Sequence, residues 1–140
     1  MPTATPVLVD TSVAIALCVA DHEAHAATVR ALRGRELGLA GHAWFESFSV
    51  LTRLPPGQRQ SPSSAARLLG HNFPHSRFLD AASAVGLADR LRQMSITGGS
   101  VYDALVAMAA LTHDLVLVSR DARAKRTYEA IGAAVDLLTD

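Results

Sequence analysis

The chain has 140 residues, 49% of them hydrophobic, with 13 Lys and Arg set against 13 Asp and Glu. That length suits one domain with a proper core, and no apolar run reaches the ~18 to 20 residues of a membrane span. Zero net charge excludes a global field drawing the protein onto a polyanion, so any nucleic-acid contact must be local.

Met1 to Pro6 lacks the basic and apolar regions of a secretory leader, which leads us to expect a cytoplasmic protein with no membrane association. Cys18 is the sole cysteine, which rules out an internal disulfide and a zinc site of paired thiolates. Its apolar neighbours suggest a buried small hydrophobe.

In chain order, Val7-Leu8-Val9 reads as a short buried strand ended by Asp10, Thr11 and Ser12. An acid there either caps the following helix or faces a ligand at the carboxyl edge of a sheet. Val13 to Val19 is apolar enough for a helix packed deep on that sheet, and Glu23 to Leu32 reads as a second helix ended by Gly34. Leu37 to Ala40 is a second strand. Gly41 then turns the chain into a helix carrying Trp44, Phe45, Phe48, Val50 and Leu51, which stops at Pro55. Glu46 lies within this helix, and it either escapes to solvent beside Ser47 and Ser49 or needs a partner or cation.

Pro55 to Pro62 reads as a loop, and Ser63-Ser64 as the cap of the next helix. Phe78-Leu79 suggests a brief strand. Ser83 to Met94 is amphipathic, with Ala84, Leu87, Ala88 and Leu91 on its apolar face. Gly98-Gly99-Ser100 breaks the chain before a helix over Val101 to Thr112, whose Val101, Leu105, Met108 and Leu111 share a face. Asp103 sits in its first turn, where the helix dipole alone would favour an acid. Leu115 to Val118 is an uninterrupted apolar run, as a central parallel strand should be. Ser119-Arg120-Asp121, a helix with Ala124, Tyr128 and Ile131, and a last strand within Ala133 to Leu138 complete the chain. Strands alternating with helices predict an α/β fold with a central parallel sheet flanked by helices on both faces.

Two strand ends thus carry acids, Asp10 and Asp121, while Asp103 and Glu46 ride helices beside other strands. Converging within ~5 Å, ionised carboxylates would repel by about 3 kcal/mol per pair at an effective dielectric of roughly 20. A hard divalent cation with oxygen ligands, Mg²⁺ or Mn²⁺, would relieve that repulsion. It could also activate a water for phosphoryl displacement.

The motifs Val9-Asp10-Thr11-Ser12, Trp44-Phe45-Glu46, Tyr102-Asp103-Ala104-Leu105 and Leu117-Val118-Ser119-Arg120-Asp121, in this order and spacing, resemble PIN-domain ribonucleases of the VapC toxin type. The resemblance covers essentially the whole chain, 1–140, as a single PIN domain. It implies a Mg²⁺-dependent endoribonuclease toxin, with Mn²⁺ able to substitute, that cuts tRNA or rRNA to arrest translation. It further implies a cognate VapB-type antitoxin and a homodimer. Carried over by position, Asp10 and Asp103 are principal metal ligands, with Glu46 and Asp121 completing the acidic pocket and aligning the attacking water. Ser119 stands where many relatives have Thr and keeps the hydroxyl; Thr11, Ser12 and Ser119 would hold ligands or water in place. Arg120, Arg123 and Lys125 beside this edge are candidates for RNA phosphates, although a late basic cluster is also what a solvated helix face looks like.

Two other classes fit less well. A phospho-receiver module needs a further acidic pair and a late Lys that Ser119-Arg120 does not supply, and a dehalogenase-type phosphatase needs an acid where Ser12 stands. A PIN-like protein that binds RNA or a partner without catalysis has no need of four intact acids. The histidine pairs His22/His25 and His71/His75 are spaced like metal ligands but lie in polar breaks without an acidic or thiol partner.

Overall fold

The computed structural model describes residues 4–139. Its elements run β1 (Val7–Val9), α1 (Thr11–Cys18), α2 (His25–Leu32), β2 (Leu37–Leu39), α3 (His42–Thr52), α4 (Pro62–Asn72), α5 (Ala81–Gln93), α6 (Ser100–Thr112), β3 (Leu117–Ser119), α7 (Ala122–Ile131) and β4 (Val135–Leu137).

The strands form one parallel sheet in the order β2-β1-β3-β4. Successive residues of a strand point to opposite faces. Leu8, Val9, Leu117 and Val118 are nevertheless all fully buried, so both faces are covered, as the unbroken apolar runs predict. From β1 the chain crosses to β2 on one side, then returns through four helices to β3 on the other. The strand order therefore reverses between β1 and β3, and the crevice at their carboxyl ends is where an open α/β sheet binds ligands. With Val9 paired to Val118, Asp10 comes level with Ser119.

Several local expectations hold and several are corrected. Gly34 follows the C-cap of α2 with φ +78°, the left-handed conformation that ends a helix. Helix α4 begins earlier than expected: the hydroxyl of Ser61, not Ser63 or Ser64, accepts from Ser64 N at 3.1 Å, with Pro62 in the first turn. Asp80 likewise caps α5, accepting from Ser83 N at 2.7 Å. Phe78-Leu79 forms no strand. The pairing falls on Pro74 and Arg77, which bridge to Gly38 and Ala40 and strap the 74–77 segment along β2.

The helix faces also differ from the pattern of large residues. In α5 only Leu87 is buried, while Ala84 and Ala88 face solvent. In α6 Met108 of the expected face is buried together with Val106 and the alanines Ala104, Ala107, Ala109 and Ala110 that support that face, whereas Leu111 is left exposed. Alanines let a helix axis approach its neighbours closely, so close packing overrides the nominal hydrophobic face. Cys18 is only half-buried, yet desolvation pushes its thiol up to about 11, so it stays a neutral, poorly reactive thiol. Among the described residues, no helix is long and apolar enough to cross a membrane.

Candidate active site

Asp10 is the fixed point of the crevice. It ends β1 in extended conformation and caps α1, so the cap and the ligand readings of this residue are compatible. Its Oδ1 accepts from Ser12 Oγ at 2.6 Å and from Val13 N at 3.2 Å. Its Oδ2 accepts from Ser119 Oγ at 2.6 Å and from the Tyr128 hydroxyl at 2.9 Å. A buried carboxylate is tolerable only with such partners.

The donors are themselves held. Ser12 Oγ accepts from Arg120 N and Ser119 Oγ from Asp121 N, both at 2.9 Å, which locks the turn after β3 onto β1. Burial, followed by the charge of Asp10, pushes the Tyr128 hydroxyl far above its ordinary range and keeps it a donor. The sequence offered one signal for Tyr128, a tyrosine on the buried stripe of α7 whose hydroxyl must find a partner.

Asp121 caps α7, its Oδ1 accepting from Arg123 N at 3.0 Å and Ala124 N at 3.2 Å. Its Oδ2 faces the Arg123 guanidinium at 3.2 Å, and the same guanidinium lies 3.6 Å from Asp103 Oδ2. Arg123 thus bridges two of the acids. Its side chain is 70% exposed, which marks the pair with Asp103 as a weak, solvent-screened attraction. Asp103 Oδ2 is buried without a hydrogen-bond partner, and so is Thr11 Oγ1. Glu46 stands exposed at the rim. These groups enclose a cavity of about 240 Å³ lined by Asp10, Thr11, Ser12, Glu46, Asp103, Val106, Asp121, Arg123 and Tyr128.

All four predicted acids therefore line one cavity, together with Thr11, Ser12 and Arg123. Ser119 lies behind Asp10. Arg120 lines a neighbouring cavity with Ser12 and His22, and Lys125 is half-buried and lines neither. Three of the four spaced histidines are engaged elsewhere, His22 Nδ1 accepting from Ala24 N, His25 Nδ1 lying 2.8 Å from Ala16 O and His75 pairing with Glu36, while His71 is exposed on α4.

Among the described residues, no three His, Cys, Asp or Glu side chains are drawn together as a ready metal cluster. The donor set still fits a hard divalent cation, because it is all carboxylate oxygen and Asp103 Oδ2, beyond its loose ion pair with Arg123, has no hydrogen-bond partner.

Burial raises the Asp103 carboxyl above its ordinary 3.8; Arg123 opposes the shift, and Asp121, Glu46 and Asp10 add to it. A carboxyl with a raised folded-state pKa binds more protons folded than unfolded just above 3.8, so its ionisation costs stability as pH rises through that window. Asp103→Asn should therefore raise the melting temperature of metal-free protein at neutral pH, by more than it does near pH 4. Melting curves of both proteins across pH measure this; a difference that stays flat or shrinks toward neutrality contradicts it.

Comparison with known proteins decides the family. The PIN-domain family model matches residues 7–130. The chain is 53% identical over 130 residues to Ribonuclease VapC27 of Mycobacterium tuberculosis (strain ATCC 25618 / H37Rv), covering 93% of this chain and 95% of that protein. This chain belongs to the PIN-domain family and is of the VapC type. Ribonuclease VapC40 of M. tuberculosis (strain CDC 1551 / Oshkosh) is 44% identical over 132 residues, covering 93% of this PIN domain and 97% of that protein. The acidic cavity of the PIN domain lies within the span matched by the family model.

Proposed function

We propose that this PIN domain is a divalent-metal-dependent endoribonuclease, the toxin of a toxin–antitoxin pair that cuts tRNA or rRNA in the cytoplasm and so inhibits translation. The observation that carries the reading is the acidic cavity at the strand-order reversal, with a buried Asp103 oxygen that has no hydrogen bond. The curated relatives named ribonucleases support it. A VapB-type antitoxin and a homodimer belong to the same reading, as the VapC name of those relatives suggests.

Asp10, Glu46, Asp103 and Asp121 would hold Mg²⁺ or Mn²⁺. When bound, such an ion supplies a water of lowered pKa and charge balance for the leaving oxygen. The protein's own groups do the rest. Asp10 anchors the site through its four donors, and an ion bound to it would take the place of one of them. Glu46, exposed at the rim, would complete the acidic pocket with Asp121 and align the attacking water. Arg123, on the wall of the acidic cavity, would meet the phosphate under attack, with Arg120 from the neighbouring cavity and Lys125 as contacts for flanking phosphates. Thr11, Ser12 and Ser119 hold ligand oxygens and water in place.

Purified protein should cleave single-stranded RNA in Mg²⁺ or Mn²⁺ and lose that cleavage in EDTA, with recovery on adding the metal back. Electrophoresis of the products reads the result. Cleavage undiminished by EDTA would overturn metal dependence, and no cleavage with either metal would overturn the ribonuclease reading.

A further inference from the structure

A second cavity adjoins the acidic one. It measures about 360 Å³ and is lined by His42, Glu46, Gly99, Tyr102, Asp103 and Arg123. Glu46, Asp103 and Arg123 line both, so the two spaces share a wall made of the groups that would handle a phosphate. What distinguishes the second space is an aromatic side. The rings of His42 and Tyr102 stack with centroids 4.9 Å apart at 23°. Tyr102 is 52% exposed, as are Phe45 and Phe78 to a similar degree, but of these three rings only Tyr102 lines this cavity. Opposite, Gly99 contributes no side chain, and a Cβ built there would meet nothing within 4 Å.

The local sequence produces this arrangement. Tyr102 directly precedes Asp103 on α6, so it projects about 100° around the helix from the acid, beside the cavity rather than into it. His42 opens α3 one turn before Glu46, which brings its ring and that carboxylate to the same side of the helix. Each aromatic is thereby tied to an acid of the site.

Resting on the ribonuclease reading, we propose that the His42–Tyr102 stack is a platform for one RNA base beside the phosphate under attack. The chemistry selects a base over other parts of the substrate. A flat, uncharged ring stacks on Tyr102 without adding charge to a cavity edged by Glu46, Asp103 and Arg123, and it uses the aromatic side that a phosphate would leave unused. Stacking fixes the strand in register with the acids, and because every base has a π face it tolerates sequence while still ranking bases by stacking strength. His42 backs the tyrosine ring and holds it in place. Tyr102 is in this sense a positioning and specificity residue.

Two measurements on Tyr102→Ala, Tyr102→Phe and Tyr102→Trp test the platform. One is the anisotropy of short fluorescein-labelled oligoadenylate and oligouridylate, and the other is sequencing of the ends produced from a randomised single-stranded RNA pool. Tyr102→Ala should weaken oligoadenylate binding about 10- to 100-fold and erase the base preference at one nucleotide flanking the cut. Its melting temperature and the Mg²⁺ concentration for half-maximal cleavage should not change. Tyr102→Phe and Tyr102→Trp should behave like the native protein, because the ring face is kept. If the native protein cleaves and Tyr102→Ala binds and cuts with unchanged preference, the platform is wrong and the ribonuclease reading stands. If Tyr102→Phe falls as far as Tyr102→Ala, the hydroxyl and not the face is responsible, which also overturns stacking. Tyr102-dependent binding by a native protein that cuts nothing would keep the platform and sink the ribonuclease reading. Neither binding nor cutting overturns both.

Discussion

Asp10→Asn is expected to abolish RNA cleavage while the protein stays folded, and Asp10→Ala to abolish it and destabilise the fold as well. The two differ because of what the carboxylate touches. It is 3% exposed and accepts from Ser12 Oγ, Val13 N, Ser119 Oγ and the Tyr128 hydroxyl. These donors belong to α1, the end of β3 and α7, so one side chain ties together three elements.

Asparagine keeps one acceptor oxygen, and a hydroxyl that faces the new amide can turn to accept from it. We therefore expect Asp10→Asn to cost about 1 to 2 kcal/mol. Alanine leaves three hydroxyls and a backbone amide without their acceptor. Charge-assisted bonds are worth more than neutral ones, so about 3 kcal/mol or more should be lost even with water entering the cavity. Asp10→Asn also removes a negative charge from the acidic wall, but its hydrogen bonds outweigh that relief. At Asp103, where burial dominates and an oxygen lacks a hydrogen-bond partner, the balance goes the other way. Thermal melts with cleavage assays separate the two effects. Native-rate cleavage by Asp10→Asn would remove Asp10 from the active site, and an Asp10→Ala protein melting with the native one would show that the bonds contribute little.

Gly38→Ala should be the most damaging single methyl in the chain. A Cβ at Gly38 would lie 2.2 Å from both the carbonyl carbon and oxygen of His75 and 2.6 Å from Ser76 N. These are backbone atoms, which cannot turn aside as a side chain can. The 74–77 strap is also held to β2 at closely spaced points: His75 N donates to Leu37 O at 3.1 Å, Arg77 N to Leu39 O at 3.1 Å, and Leu39 N to Ser76 Oγ at 2.9 Å. Relieving the clash means breaking those bonds. Overpacking in a core costs about 1 to 3 kcal/mol and occasionally more; we expect this site at or above the upper end, near 3 kcal/mol. Because β2 runs through Ala40 and Gly41 into α3, whatever remains folded should also misplace Glu46 and cut more slowly. Urea denaturation and cleavage rates read both effects. A variant of native stability would mean that the strap lifts freely from β2.

Much of this architecture was legible in the chain itself. The apolar runs Val7–Val9 and Leu115–Val118 identified strands buried on both faces, because hydrophobicity without alternation is what two covered faces require, although β3 itself starts only at Leu117 and Val116 is left exposed. The acids after those strands, the glycine break before α6 and the order of the four motifs pointed to one acidic edge and to the family. Such signals are local: the identity of a residue and of its near neighbours decides them.

Tertiary structure decided what each element meets. The strand order sets β1 beside β3 and so brings Ser119 and Tyr128, distant in sequence, onto Asp10. It set Arg123 between Asp103 and Asp121, a charge that composition places only somewhere on a basic helix. It left Leu111 of α6 exposed while burying the alanines beside Met108, and it filled the space above Gly38 with the backbone of His75 and Ser76 where a strand had been expected three residues later. The reason is common to all of these. Hydrophobic pattern states which side chains leave water, whereas their partners follow from how separate elements pack at close range, and that information lies in no single stretch of the chain.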